Sequence, residues 1–163
     1  MRLDREKYFI SRQIGRAMAD YQMLQEGDRV LIAVSGGKDS LTLAKMMKHR
    51  QKIAPIDFEI RAVFIDMGIP DFPFAKLAEF FEAEKIAYTT EKIDVLKGKG
   101  WDTLDCYACA RERRKALFLL ADKLKFNKIA LGHHLDDIAQ TILLNMFYRA
   151  EISAMCPKQE IFK

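Results

Sequence analysis

No apolar run in this 163-residue chain approaches the ~20 residues that a membrane-spanning helix needs. The opening stretch, MRLDREKYF, is charged and lacks the apolar centre of a signal peptide. The chain is therefore expected in the cytoplasm, away from membranes. Cysteine is scarce: Cys106, Cys109 and Cys156 are the only three. An odd count in a cytoplasmic chain argues against a disulfide framework. Internal repeats and low-complexity tracts are absent, so neither a solenoid nor a long disordered linker is expected.

What is present is ordinary in amount and unusual in placement. Half the residues are hydrophobic and 31% are charged, as in soluble globular proteins. The length suits one domain with a real core and is short for two. Net charge is +4, but Lys97 to Lys128 alone holds nine Lys/Arg against four Asp/Glu, a local excess of five. A focused basic patch suits a polyanion, nucleic acid first. A solvated helix face gives the same composition.

The hydrophobic pattern alternates. Asp4 to Leu24 spaces Ile10, Ile14, Met18 and Tyr21 as a helix does, and QEGDR breaks it. Val30–Val34 is a continuous apolar run, as in a strand covered on both faces. Helix is expected over Asp39–Arg50, strand over Phe58–Ile65, and helix over Phe74–Lys85 with Phe74, Leu77, Ala78 and Phe81 on one face. Strand over Ala87–Ile93, helix over Tyr107–Leu124, strand over Lys128–Leu131 and helix over Asp136–Phe147 complete the series. Strand and helix in this order imply an α/β fold, a parallel twisted sheet with helices on both faces. Ligands of such sheets sit beyond the carboxyl ends of the strands. A polar cluster follows every expected strand: Ser35–Ser40, Asp66-Met67-Gly68, the segment with Cys106 and Cys109, and Gly132 to Asp137.

Each cluster has its own chemistry. In Ser35-Gly36-Gly37-Lys38-Asp39-Ser40 the glycines let backbone amides face an anion at close range. The helix that follows adds free N–H groups and a favourable dipole. Ser35 and Ser40 bring hydroxyls and Lys38 a cation. The loop is shorter than a Walker A sequence. Asp39 beside phosphate makes sense if Mg²⁺ lies between them. Of Asp136 and Asp137, one is expected to cap the last helix and the other to serve metal or phosphate. One of His133 and His134 is expected at phosphate or adenine, the other against the sheet. Cys106-Tyr107-Ala108-Cys109 can be half a zinc site, a redox dithiol, part of an iron–sulfur site, or two incidental cysteines at a helix start. Arg111, Arg113, Arg114 and Lys115 follow at once and suit RNA phosphate.

Ser35–Ser40 resembles the signature of the PP-loop ATP pyrophosphatases, whose fold is the Rossmann-like adenine nucleotide alpha hydrolase fold. CYACARERR and LGHHLDDIAQTILLNMFY narrow the resemblance to the tRNA 2-thiocytidine biosynthesis family and its related tRNA thiolases. It extends from the first helix to the last residues. The resemblance implies an ATP-dependent tRNA sulfurtransferase: ATP adenylates an oxygen of a tRNA pyrimidine, most specifically cytidine, pyrophosphate leaves, and sulfur then displaces AMP. Carried over by motif, Ser35, Gly36, Gly37, Lys38, Asp39 and Ser40 would bind the phosphates. Asp66, Gly132, His133, Asp137 and Thr141 would complete the nucleotide site. Asp39 and Asp137 would serve Mg²⁺, and Cys106 and Cys109 would hold a [4Fe–4S] cluster. Lys38, Asp39, Cys106 and Cys109 would be the catalytic groups, and Arg111, Arg113 and Arg114 the RNA contacts.

The partners so implied are tRNA and a sulfur donor such as a cysteine desulfurase relay, with homodimerisation left open. The family continues past PKQEIFK with a segment that carries its third cluster cysteine, so this chain is expected to lack that segment and to hold iron poorly. Two rival functions stay open. A lysidine synthetase-like enzyme would use the same loop with an amino acid as nucleophile, but needs no thiol. A nucleotide-binding module with structural zinc would use the cysteines without turnover.

Overall fold

The computed structural model describes residues 2–94 and 105–161, with side chains from residue 5 onward. Lys97 and Lys99 of the basic stretch, and the last two residues, Phe162 and Lys163, lie outside the described residues. The described chain falls into two compact units, residues 25–132 and residues 1–24 with 133–163.

The larger unit holds the sheet. Its strands are β1 (Asp28–Val34), β2 (Phe58–Asp66), β3 (Tyr88–Lys92) and β4 (Lys128–Ala130), and its helices are α2 (Lys38–Arg50), α3 (Phe74–Ala83) and α4 (Cys106–Lys123). All pairings are parallel, in the order β3-β2-β1-β4. Val30 pairs with Ile60 on one side and Lys128 on the other. The chain thus steps outward from β1 to β3, then returns to the far edge of β1. With right-handed crossovers, α2 and α3 cover one face and α4 the other.

Side-chain parity agrees. Leu31, Val63 and Ile65 form a cluster with Leu117, Leu120 and Ala121 of α4 and with Phe126. Phe64, of opposite parity, meets Phe74 of α3 at a ring-centroid distance of 5.9 Å. Full burial of Leu31 or Val63 contributes ~1.5–3 kcal/mol each. At the amino end of the sheet, Arg29 Nε donates to Glu59 Oε2 at 2.7 Å and its guanidinium lies over the Phe126 ring. The Arg29 hydrogen bond holds the Glu59 carboxyl below its ordinary pKa.

The smaller unit comprises α1 (Arg2–Asp20), α5 (Leu135–Arg149) and the residues after it. The sequence spacing places both helices; α1 ends four residues before the expected Leu24, and α5 runs one residue earlier and two later than expected. Asn145 Nδ2 donates to the Ser153 carbonyl at 2.9 Å, and Lys158 Nζ donates to the Gln22 carbonyl at 3.0 Å. No described helix is long and apolar enough to cross a membrane.

Candidate nucleotide and cysteine site

β1 is the strand at which the chain reverses direction across the sheet, the position at which open parallel α/β sheets place their ligands. Ser35–Ser40 occupies the end of β1. Residues 35–39 are exposed, while Ser40 is only 6% exposed. α2 begins at Lys38, one residue earlier than expected, with Gly37 at its N-cap and no side-chain cap. Its first-turn amides therefore remain available to an anion, with Lys38 beside them. Gly36 has φ +85°, a left-handed conformation that glycine adopts without penalty.

Both serines are engaged inside the loop. Ser40 Oγ donates to the Gly37 carbonyl at 2.9 Å and accepts from Ser35 N–H at 3.2 Å. Ser35 Oγ lies 3.2 Å from Ser40 Oγ and accepts from Gly37 N–H at 3.4 Å. Ser40 thus fastens both ends of the glycine turn. Its hydroxyl shapes the turn from within, and the Gly37 N–H is also engaged there.

Gly132, just after β4, shows why its position needs a hydrogen for a side chain. A Cβ there would lie 3.0 Å from both N and Cα of Ser40. The end of β4 and the start of α2 can approach only because that atom is missing.

Asp66 ends β2, where its carboxylate accepts from Gly68 N–H at 2.8 Å and forms the turn out of the strand. Met67 follows, half-buried against the core cluster. Cys106 opens α4, capped by Asp105, whose carboxylate accepts from Tyr107 N–H at 3.1 Å. Cys106 is exposed, whereas Cys109, one turn on, is half-buried with its thiol 3.4 Å from the Met67 thioether. All three cysteines are free. Arg113, Arg114 and Lys115 are exposed on α4, and exposed Arg111 pairs with Glu112 at 3.4 Å.

The larger unit therefore brings together the phosphate loop, Gly132, Asp66 and the cysteine pair at the carboxyl edge of one sheet. His133, Asp137 and Thr141 belong to the smaller unit. There, neither aspartate is the N-cap of α5. His134 holds that position in a capping box: Asp137 accepts from His134 N–H at 2.7 Å, and the His134 side chain accepts from the Asp137 backbone. Asp136 lies exposed in the first turn, the Thr141 hydroxyl donates to the Asp137 carbonyl at 2.7 Å, and His133 is exposed. No group of three or more His, Cys, Asp or Glu suited to a metal occurs among the described residues.

Sequence reasoning missed Phe72. Its ring stacks on buried Phe64 at 4.5 Å and lies against Gly36, where an added Cβ would be 3.0 Å from Phe72 Cζ. Such a contact has no local sequence signal, because it depends on where two loops end up.

A parallel sheet with an uncapped, glycine-led helix start at its reversal point is the arrangement of a nucleotide-binding α/β protein. The PP-loop domain model matches residues 7–162, and the chain belongs to that family. It is 43% identical over 163 aligned positions to the tRNA-cytidine(32) 2-sulfurtransferase of Alcanivorax borkumensis, covering 96% of this chain and 57% of that one. The tRNA-cytidine(32) 2-sulfurtransferase of Deinococcus radiodurans is 44% identical over 153 positions, with 91% and 51% covered. This chain thus spans about half the length of the curated relatives it matches.

Among solved structures, the U34-tRNA thiolase NcsA from Methanococcus maripaludis with its [4Fe-4S] cluster matches with a TM-score of 0.72 and 25% identity, over 90% of this chain and 52% of that one. An NH3-dependent NAD synthetase from Campylobacter jejuni shares the fold, with a TM-score of 0.54 and 17% identity over 77% of this chain and 55% of that one. The expected fold, a parallel sheet with helices on both faces, is the one observed.

Proposed function

We propose that this chain carries the ATP-using part of a cytoplasmic tRNA sulfurtransferase that adenylates a tRNA pyrimidine, specifically cytidine, and exchanges its oxygen for sulfur. The observation that carries this reading is the open amide cradle of Gly36 to Ser40 at the sheet's reversal point. The cysteine pair at the same sheet edge and the names of the relatives support it. The amides and Lys38 grip the terminal phosphates. The pyrimidine oxygen attacks the α phosphorus, and pyrophosphate leaves as the oxygen–phosphorus bond forms. Sulfur then attacks the ring carbon, and AMP departs with the oxygen.

Asp39 is exposed at the start of α2 and suits a hard cation such as Mg²⁺. Asp137 spends one carboxylate oxygen on the α5 cap, which leaves the other for such a cation. Asp66, Gly132, His133 and Thr141 complete the nucleotide site in this reading, Gly132 by letting the β4 end lie against the first turn of α2. Two thiolates, Cys106 and Cys109, match the donor chemistry of an iron–sulfur cluster but supply only part of its ligand set. Such a cluster, when bound, would carry sulfur to the activated base. The exposed arginines 111, 113 and 114 suit tRNA phosphates. A sulfur relay protein and a second copy of the chain are the other proposed partners.

The test is product analysis with tRNA, a sulfur donor, ATP and Mg²⁺. AMP and pyrophosphate are expected, formed in equal amounts. ADP and inorganic phosphate would show that the loop directs attack to the wrong phosphorus.

A further inference from the structure

The loop from β2 to α3, residues 67–73, touches both chemical centres of the larger unit. At its start, Met67 Sδ accepts from the Cys109 thiol at 3.4 Å. At its end, Phe72 lies against Gly36 of the phosphate loop. Neither contact is loosely held. Met67 packs on the core cluster, and the Phe72 ring is stacked on Phe64, which is only 6% exposed. Phe74, which opens α3, also meets Phe64. Asp66 fixes the turn by accepting from Gly68 N–H at 2.8 Å, and Gly68 itself has φ +76°.

We propose that Met67 and Phe72 are positioning residues through which this loop ties occupancy of the phosphate loop to the placement of the Cys109 thiol. The inference rests on the nucleotide reading above and adds a connection that the reading does not need. A triphosphate gripped by the Gly36–Gly37 turn must set that turn's backbone, and the Phe72 ring packs directly on it. Phe72 can follow only by shifting against Phe64, and it shares a seven-residue loop with Met67. Met67 in turn holds one of the two cysteines. The arrangement also distinguishes the cysteines: Cys109 is held and half-buried, whereas Cys106 is exposed. Coupling of this kind is reciprocal, and coupled sites change each other's equilibria by about fivefold or more.

The experiment uses the full chain, free of iron. Iodoacetamide labelling of each cysteine is followed by mass spectrometry, with and without saturating ATP–Mg²⁺, while calorimetry measures ATP binding separately. ATP is expected to change the Cys109 labelling rate by about fivefold or more, and to leave exposed Cys156 unchanged. Phe72→Leu and Met67→Leu should each abolish that response, whereas Phe72→Tyr, which keeps the ring, should retain it. Met67→Leu preserves volume and removes only the sulfur acceptor, so it separates the thioether contact from packing. ATP binding without any change at Cys109 overturns the coupling and leaves the nucleotide reading standing. A response that survives in both leucine variants also overturns it. Absence of ATP binding in the wild-type chain overturns both readings.

Discussion

Replacing Gly132 with alanine tests whether the β4 end and the α2 start are spaced as the structure shows. The added Cβ would lie 3.0 Å from Ser40 N and Cα and 3.2 Å from the Asp39 carbonyl carbon, all backbone atoms. Ordinary contact begins near 3.4 Å, so the first turn of α2 must retreat by at least about 0.4 Å, which a packed helix start resists. Overpacking of this kind costs ~1–3 kcal/mol, and at ~2–4 °C per kcal/mol for a chain of this size the melting temperature should fall by about 2–12 °C. The atoms displaced are those that present the phosphate-binding amides. Loss of one hydrogen bond to a charged group weakens ATP by about tenfold or more.

Gly27→Ala is the control. Gly27 has φ +79° with nothing within 4 Å of its missing Cβ, so the change costs ~1–2 kcal/mol of backbone strain at the other end of β1. Scanning calorimetry and ATP titration of both variants decide the matter. Gly132→Ala should lose stability and ATP affinity together, and Gly27→Ala stability alone. A Gly132→Ala chain that binds ATP as the wild type does would refute the argument, whatever its melting temperature.

Asp39→Asn should keep the fold and weaken Mg²⁺-dependent ATP binding, because a neutral amide is a poorer ligand for a hard cation; identical titrations with and without magnesium would remove Asp39 from the site. Arg113→Glu with Arg114→Glu should lower tRNA affinity and reduce the slope of log affinity against log salt by about 2, without lowering the melting temperature, since both side chains are exposed. An unchanged slope in filter binding would place the RNA surface elsewhere. Arg29 depresses the Glu59 pKa, so the pair stabilises the fold above the unfolded carboxyl pKa and loses that contribution as pH falls through the depressed folded value. Because the pair is partly exposed, the effect should stay under about 1 kcal/mol, and Glu59→Gln should flatten that portion of an acid melting series.

The sheet was legible because its signal is local and strong. Val30 to Val34 is apolar without interruption, and the structure buries four of its five residues. The expected Phe58–Ile65 strand, observed to run one residue further to Asp66, and the Phe74 to Phe81 face are legible from local patterns as well. β4 carries a weaker signal, with three half-buried residues, and it ends one residue before the expected Leu131. The cap of α5 differs from the expected aspartate for a physical reason, with the helix starting one residue before Asp136. Histidine is a rare N-cap, so HLDD did not read as a capping box, although an acidic residue three positions on is half of that signature. The useful signal was Asp137, whose carboxylate reaches back to the His134 backbone.

Residue type in the phosphate loop is legible, but the division of labour within it is not. A serine after glycines looks the same whether its hydroxyl meets a ligand or its own loop, and only burial separates the two cases. Ser40 is buried and bonded to Gly37 and Ser35, so removing its hydroxyl should loosen the cradle before it costs any ligand contact. Phe72 and Met67 carry the same lesson between loops. Phenylalanine in DFPF and methionine after Asp66 are unremarkable as sequence, and their meaning comes from what the parallel topology sets beside them. The β2–α3 loop lies next to the β1–α2 loop because β1 and β2 are neighbours. It meets Cys109 because α4 crosses the sheet face beneath the end of β2, with Ile65 and Met67 packed against that helix's cluster. The chemistry of each cluster can be read one strand at a time, whereas the contacts that join the clusters exist only once strand order is fixed.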